Sequence, residues 1–157
     1  MTFSVTTSSG AHDRPPPRNR MVVAVLSLMG IFVALYLLAH SVGLIPLICG
    51  VGSCSTVQSS QWAKVGQVPV PLIGVAGYGS LLVLAILGIQ PSWHDSRKIG
   101  LLMLGLTTVG VAYTAFLTYL EAAVIHAWCV WCVTSAALMT LIFLASLPEI
   151  GRVVQRR

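Results

Sequence analysis

Four long apolar segments without a charged residue alternate with short polar segments along this chain. An α-helix needs about 20 residues to cross a hydrocarbon core about 30 Å thick, and each apolar segment has close to that number. The pattern therefore predicts an all-α membrane protein, a bundle of four transmembrane helices with a loop and a short helix between helices 1 and 2. The predicted spans are about 21–39, 70–89, 99–120 and 128–147.

Composition supports a membrane location and excludes a soluble domain. Hydrophobic residues make up 56% of the chain and charged residues only 8%, whereas a soluble domain has about 25% charged residues. The formal net charge of +5 is compatible with nucleic-acid binding, but the Lys and Arg residues flank the apolar segments and form no continuous basic face. We therefore expect the lipid bilayer, and no nucleic acid, as a partner.

The distribution of positive charge predicts the orientation in the membrane. Four spans place both termini on one side; Lys64 lies opposite, and eight residues share the terminal side: Arg14, Arg18, Arg20, Arg97, Lys98, Arg152, Arg156 and Arg157. The positive-inside rule then makes both termini cytoplasmic, with a polar tail at 1–20, a membrane domain at 21–147 and a basic tail at 148–157. A cleaved signal peptide is the alternative for the first span, but that run is long for one and no A-x-A site follows it.

The longest polar segment, Ser41 to Pro69, contains two cysteines and is predicted to be extracytoplasmic. The glycines between Cys49 and Cys54 let the backbone turn tightly enough to bring the two thiols together. Residues 55–64 lack Pro and Gly, which favours a short amphipathic helix at the membrane surface with Trp62 as its anchor.

The fourth apolar segment begins with the sequence Trp128-Cys129-Val130-Trp131-Cys132. Two thiols three residues apart share one face of the first helical turn, close enough for a disulfide, and a helix N-terminus favours the reactive thiolate. With the predicted topology, both cysteine pairs lie on the outer, oxidising side of the membrane.

Three roles suit four cysteines on one side of a membrane. A structural zinc site is compatible with their spacing, but an oxidising compartment disfavours a permanent thiolate cage. A static disulfide at the CxxC would add little stability to the fold, because the loop that it closes is too short to remove much chain entropy. A redox relay fits best, in which an exposed pair exchanges with a soluble partner and a buried pair with a membrane-soluble quinone. The alternative is a noncatalytic four-helix scaffold with structural disulfides or a four-cysteine metal site.

Several motifs together resemble the vitamin K epoxide reductase family: Cys49, the stretch Cys54-Ser55-Thr56-Val57-Gln58-Ser59-Ser60-Gln61-Trp62, a proline-bounded second span with Gly74 and Tyr78, and the CxxC. The resemblance covers about Met21 to Leu147. It implies a DsbB-like thiol:quinone oxidoreductase of the bacterial inner membrane that supports disulfide bond formation. Such an enzyme reoxidises a separate extracytoplasmic thioredoxin-like (DsbA-like) protein and reduces a quinone, either ubiquinone or menaquinone.

The same resemblance implies a role for each cysteine. Cys49 meets the thioredoxin-like partner and Cys54 is the shuttle between the two pairs. Cys129 then accepts electrons from Cys54, and Cys132 faces the quinone. No metal ligand is implied. Because no thioredoxin-like domain follows Arg157, we expect the partner to be a separate chain.

Further side chains are candidates for the quinone site. Ser60 matches the family serine, which either hydrogen-bonds a quinone oxygen or caps the short helix. Trp131 is a second candidate contact, with an anchoring role at the membrane surface as the alternative. Val70 and Ala136 stand where the animal enzymes have an asparagine and a tyrosine, so we expect no epoxide reduction.

Two ionisable residues lie near the outer end of the third span. Glu121 and His126 are candidates for carrying protons or for influencing a thiol, because ionisable groups near membrane depth are often functional. The simpler interpretation is that each is a surface side chain that reaches water.

Overall fold

The computed structural model describes residues 18–90, 92–93 and 96–148. The helices are α1 (Arg18–Ser41), α2 (Cys54–Ser59), α3 (Val70–Ile89), α4 (Arg97–Leu120) and α5 (Val130–Ser146). Between α2 and α3 lie a 3₁₀ turn (Gln61–Ala63) and an antiparallel hairpin of β1 (Lys64–Val65) and β2 (Val68–Pro69). Most of the two predicted tails, residues 1–17 and 149–157, lies outside the described residues.

The four long helices form a closed bundle. α1 contacts α3 and α5, and α4 contacts the same two helices. Within the described residues, α1, α3 and α4 are each long and apolar enough to cross a membrane. α5 has 17 residues, which cover roughly 25 Å at about 1.5 Å per residue. The predicted all-α membrane bundle is confirmed.

Large apolar side chains cover the outside of the bundle. Each long helix turns exposed residues away from its neighbours, among them Phe32, Val83, Phe116 and Leu141. An apolar surface of this extent on a soluble protein would cause aggregation, whereas in a bilayer it faces lipid tails.

Tyr78 lies at the centre of the bundle and joins three helices. Its ring packs against Gly30 of α1 so closely that a Cβ at this glycine would overlap it. Its hydroxyl donates to the backbone oxygen of Ser135 in α5 at 2.7 Å and lies 2.9 Å from the Ser135 Oγ. Because Ser135 is one turn beyond Cys132, Tyr78 fixes the part of α5 that follows the CxxC.

The two ends of the bundle differ in chemistry. At one end, Nη1 of Arg20 in α1 donates to the backbone oxygen of Gly88 in α3 at 2.6 Å, and α4 begins there with Arg97 and Lys98. The opposite end carries the loop after α1 and the start of α5, and therefore all four cysteines.

Three local features differ from the sequence-based expectation. The short helix ends at Ser59 instead of reaching Lys64, because both the backbone N–H and the Oγ of Ser60 turn back to the carbonyl oxygen of Val57. A π-helical turn, Glu121–Ile125, continues α4 where a short connection is predicted. α5 begins at Val130, so Cys129 caps the helix instead of lying within it.

Candidate functional site

The fold brings the two cysteine pairs into contact. Cys49 and Cys54 form a disulfide with their Cα atoms 6.1 Å apart, whereas Cys129 and Cys132 are free thiols. Cys54 and Cys129 are both fully buried, with 0% of each side chain exposed, and they belong to one small apolar cluster. The loop disulfide therefore lies directly against the first turn of α5.

Backbone pairing attaches the loop to α5 just before the CxxC. Ser53 N donates to the Trp128 carbonyl oxygen at 2.8 Å, and Gly52 pairs with Cys129 as an isolated antiparallel bridge. Gly52 has a φ of +94°, and a Cβ there would collide with the Trp128 carbonyl oxygen. Only glycine combines this backbone conformation with so close an approach.

A second attachment holds the loop just before Cys49. The backbone N–H of Ile48 donates to the Tyr36 hydroxyl at 2.9 Å, and its carbonyl accepts from Trp131 Nε1 at 3.0 Å. The rings of Tyr36 and Trp131 lie 4.8 Å apart, centroid to centroid, so α1 and α5 hold Ile48 between them. Together the two attachments enclose the disulfide.

The N-terminus of α5 positions the CxxC. Cys129 is the N-cap, and its Sγ accepts from the backbone N–H of Cys132 at 3.4 Å. A sulfur at this place lies at the positive end of the helix dipole, which stabilises negative charge on it.

Glu121 connects both thiol residues of the CxxC. Only 3% of this residue is exposed, its Oε2 accepts from Cys129 N at 3.1 Å, and its carboxyl group is close enough to the Cys132 thiol to interact with it electrostatically. The simpler expectation, a surface side chain that reaches water, is therefore wrong for Glu121. A buried carboxyl group in contact with a thiol can exchange a proton with it.

The π-helical turn explains how Glu121 comes to face inward. The Glu121 carbonyl oxygen accepts from the N–H groups of His126 and Ala127, which closes the wide turn. His126 ends it in a left-handed conformation with φ 53° and is exposed. Such turns are uncommon within helices and are frequent at functional sites.

A cavity of about 330 Å³ lies inside the bundle and reaches Cys132. Its wall is mostly apolar, with a few polar side chains: Gln58, Ser60, Tyr78, Tyr113, Glu121 and Ser135. Ligand sites in proteins typically measure about 300–1,000 Å³ and combine an apolar wall with a few polar groups. The volume and the wall chemistry both fit a flat ring of quinone type beside Cys132.

Some of the residues discussed for the quinone site line the cavity, and others do not. Cys132, Ser60 and Val70 line the cavity, although the Ser60 hydroxyl donates to the Val57 carbonyl oxygen at 2.7 Å. Trp131 is outside the cavity wall and binds the loop, so its role as a quinone contact stays a prediction that its position does not support. Ala136 is also absent from the wall.

No metal centre is formed by the parts of the chain that the structure describes. Within residues 18–90, 92–93 and 96–148, no three His, Cys, Asp or Glu side chains are grouped so that they could hold an ion. Two of the four cysteines are joined in the loop disulfide, which leaves them without a thiolate for coordination.

A comparison with protein-family models decides the family. The model of the vitamin K epoxide reductase family matches residues 21–147, which is most of the chain. The chain belongs to this family. The resemblance drawn from the sequence motifs is therefore confirmed, and membership of the vitamin K epoxide reductase family makes the protein a membrane thiol oxidoreductase.

The motifs of the vitamin K epoxide reductase family did not reveal two polar side chains of this site. Gln58 follows Cys54 by one helical turn, and its Nε2 lies 4.0 Å from Cys132 Sγ. Tyr113 precedes Glu121 by eight residues, and both side chains lie in the cavity wall. No sequence signal distinguishes Tyr113 from an ordinary membrane tyrosine.

Proposed function

We propose that this protein is a thiol:quinone oxidoreductase of the bacterial inner membrane that supports disulfide bond formation. Its termini face the cytoplasm, and the cysteine end faces the periplasm, in agreement with the positive charges at the opposite end. The observation that carries the proposal is a continuous path: Cys54 and Cys129 are buried in one apolar cluster, and Cys132 lies in the wall of an apolar cavity. The electron donor is a thioredoxin-like (DsbA-like) protein.

Electrons enter at the loop. The partner's dithiol reduces the Cys49–Cys54 disulfide and becomes a disulfide itself, so two electrons and two protons reach the loop pair. Cys49 is half-buried, and the exposed side chains of Ile48 and Val51 flank it. This accessible position supports Cys49 as the sulfur that the partner attacks.

The electrons then pass inward by thiol–disulfide exchange. The Cys54 thiolate attacks Cys129 of the oxidised CxxC, and Cys49 resolves the mixed disulfide. The exchange restores the loop disulfide and leaves Cys129 and Cys132 as thiols. Burial of Cys54 and Cys129 in one apolar cluster keeps other thiols from intercepting this step.

Cys132 and Glu121 act at the cavity. A bound quinone supplies the oxidising equivalent there and leaves as the quinol with two electrons and two protons. Glu121, whose carboxyl group interacts with the Cys132 thiol, takes the proton of that thiol, and the cysteine pair closes to a disulfide. Glu121 is only 3% exposed, which limits the access of water to this proton transfer.

The experiment that tests this function is dithiol-driven reduction of a soluble ubiquinone analogue by the purified full chain. The wild type should turn over, and Cys132→Ala should abolish turnover because the reacting sulfur is gone. Thr134→Ala, on the exposed side of the same helix, is the matched control and should retain activity. Unchanged turnover in Cys132→Ala would contradict the proposal. A cysteine redox state that does not respond to quinone would support the noncatalytic scaffold instead.

A further inference from the structure

Hydroxyl groups in the cavity wall differ in whether they already have a hydrogen-bond partner. Ser60 donates to a backbone oxygen at 2.7 Å, and Tyr78 donates to Ser135. Thr114 and Thr118 donate to carbonyl oxygens of their own helix. These hydroxyl groups gain nothing from a ligand, because the protein already satisfies them.

Tyr113 is different. Its hydroxyl oxygen is buried and has no hydrogen-bond partner, although the side chain lies in the wall of the same cavity as Cys132. Buried hydroxyl groups without a partner are rare in native proteins because removing them from water is unfavourable. An oxygen acceptor on a molecule in the cavity would satisfy this hydroxyl.

Tyr113 lies at a different level of the cavity from Glu121 and Cys132. It precedes Glu121, the residue that follows the end of α4, by eight residues, which corresponds to about 12 Å along the helix axis. Cys132 contacts Glu121, so the reacting sulfur and the Tyr113 side chain are at different levels of one apolar space. A ring with oxygen atoms on opposite sides suits this separation of polar groups better than a hydrocarbon does.

We propose that Tyr113 donates a hydrogen bond to a carbonyl oxygen of the quinone and thereby makes the cavity selective for a ring that carries such an oxygen. The inference rests on the proposed thiol:quinone activity and assigns a residue to its substrate site. It also assigns a hydrogen-bond donor on α4 to this site.

The hydroxyl contributes in two ways. It replaces the hydrogen bond that the carbonyl oxygen gives up when it leaves water, which favours binding. It also stabilises the negative charge that grows on this oxygen as two electrons leave Cys129 and Cys132. Tyr113 keeps its own proton, and the two protons of the quinol come from the two thiols, one of them through Glu121.

The test compares two ligands on three forms of the full chain, prepared with the CxxC oxidised so that no turnover occurs. The ligands are decyl-benzoquinone and decyl-benzene, which share a tail and a ring and differ in the oxygens. Equilibrium binding is measured by calorimetry for the wild type, for Tyr113→Phe, and for Tyr119→Phe as the control. Tyr119 is an exposed tyrosine on the same helix.

The wild type and Tyr119→Phe should prefer the quinone to the hydrocarbon. In Tyr113→Phe this preference should shrink by about 3–10-fold, the value of one hydrogen bond, while binding of decyl-benzene is unchanged. Removing a hydroxyl without a partner should leave thermal unfolding and the reduction of the Cys49–Cys54 disulfide by a soluble dithiol unaffected.

Other outcomes identify which statement is wrong. A wild type that does not bind decyl-benzoquinone contradicts the proposed function itself. If the wild type binds it and Tyr113→Phe shows the same preference, the function stands and the role of Tyr113 is wrong. Equal weakening of both ligands in Tyr113→Phe would assign Tyr113 to packing, and that also overturns the inference.

Discussion

The two cysteine pairs have the same chemistry and are built in different ways. Cys49 lies in a loop of irregular structure and Cys54 begins the short helix α2. A few hydrogen bonds attach this segment to the bundle, and Ile48 and Val51 are exposed by 72% and 79%. The CxxC begins a membrane helix and is fixed by Glu121, Tyr78 and the helix N-terminus. The comparison shows an outer pair with exposed neighbours and an inner pair held in a buried, well-fixed position.

The difference extends to what each pair touches. Beside Cys49, the neighbouring side chains are apolar and open to the outside, as expected for a surface that a soluble protein approaches. Beside Cys132, the neighbours are a carboxyl group, an amide and an apolar cavity. Cys54 and Cys129 lie together in the buried cluster between these two environments.

The largest expected effect comes from breaking the link between the two pairs. In Cys54→Ser the loop can no longer pass electrons inward, so turnover driven by a thioredoxin-like protein should fall below detection. A small membrane-permeant dithiol that reaches the cavity should still drive quinone reduction through Cys132. Parallel turnover assays with the two donors measure this, and equal loss with both donors would contradict separate roles for the pairs.

The second largest effect concerns the carboxyl group of Glu121, which lies beside the CxxC. Glu121→Gln keeps an oxygen that accepts from Cys129 N and removes the proton acceptor of Cys132. Quinone reduction at neutral pH should fall by about 10²-fold or more, as for the loss of a general base. The proton of the Cys132 thiol must then leave to water. The rate of quinone reduction by the variant should therefore rise with pH, and its difference from the wild-type rate should become smaller.

The pH dependence separates this role from simple positioning. A carboxyl group that only held the backbone of Cys129 would be replaced well by the amide, and turnover would stay near that of the wild type at every pH. Reduction of the loop disulfide by a soluble dithiol does not use Glu121, so its rate is the internal control for correct folding.

Most of the fold followed from the sequence because lipid imposes a simple rule. Uncharged segments of about 20 residues must form helices when no water is available to their backbone groups. The end of the short helix and the π-helical turn did not follow from the sequence. Each depends on a few local hydrogen bonds, such as those from Ser60 to the Val57 carbonyl oxygen, which a hydropathy pattern does not contain.

The sequence predicted the cysteines of the site but not the other side chains that surround them. The three-residue spacing of Cys129 and Cys132 is a local signal, and it predicts that the two thiols lie close together on one helical turn. The contact between Cys54 and Cys129, and the inward direction of Glu121, depend on how residues far apart in the chain pack. Tyr113 could not be distinguished from an ordinary membrane tyrosine until the partners of the surrounding hydroxyl groups were known.

The smallest of these effects tests how the loop is attached. Gly52→Ala introduces a Cβ that meets the Trp128 carbonyl oxygen at a φ of +94°, which should cost about 1–3 kcal/mol. The loop should then leave α5 part of the time and slow exchange between Cys54 and Cys129. Turnover with a thioredoxin-like donor should fall by about tenfold, the factor that 1.4 kcal/mol produces, and turnover with the small dithiol should hold.

Gly50→Ala provides the matched comparison, because Gly50 lies in the same loop and an added Cβ there meets nothing within 4 Å. Both substitutions add one methyl group between the same two cysteines, so a general effect on the disulfide loop would appear in both. A loss confined to Gly52→Ala and to the protein donor would show that docking of the loop on α5, and not only formation of its disulfide, sets the rate of transfer between the pairs. Equal behaviour of the two variants would mean that the backbone pairing beside Cys129 is dispensable.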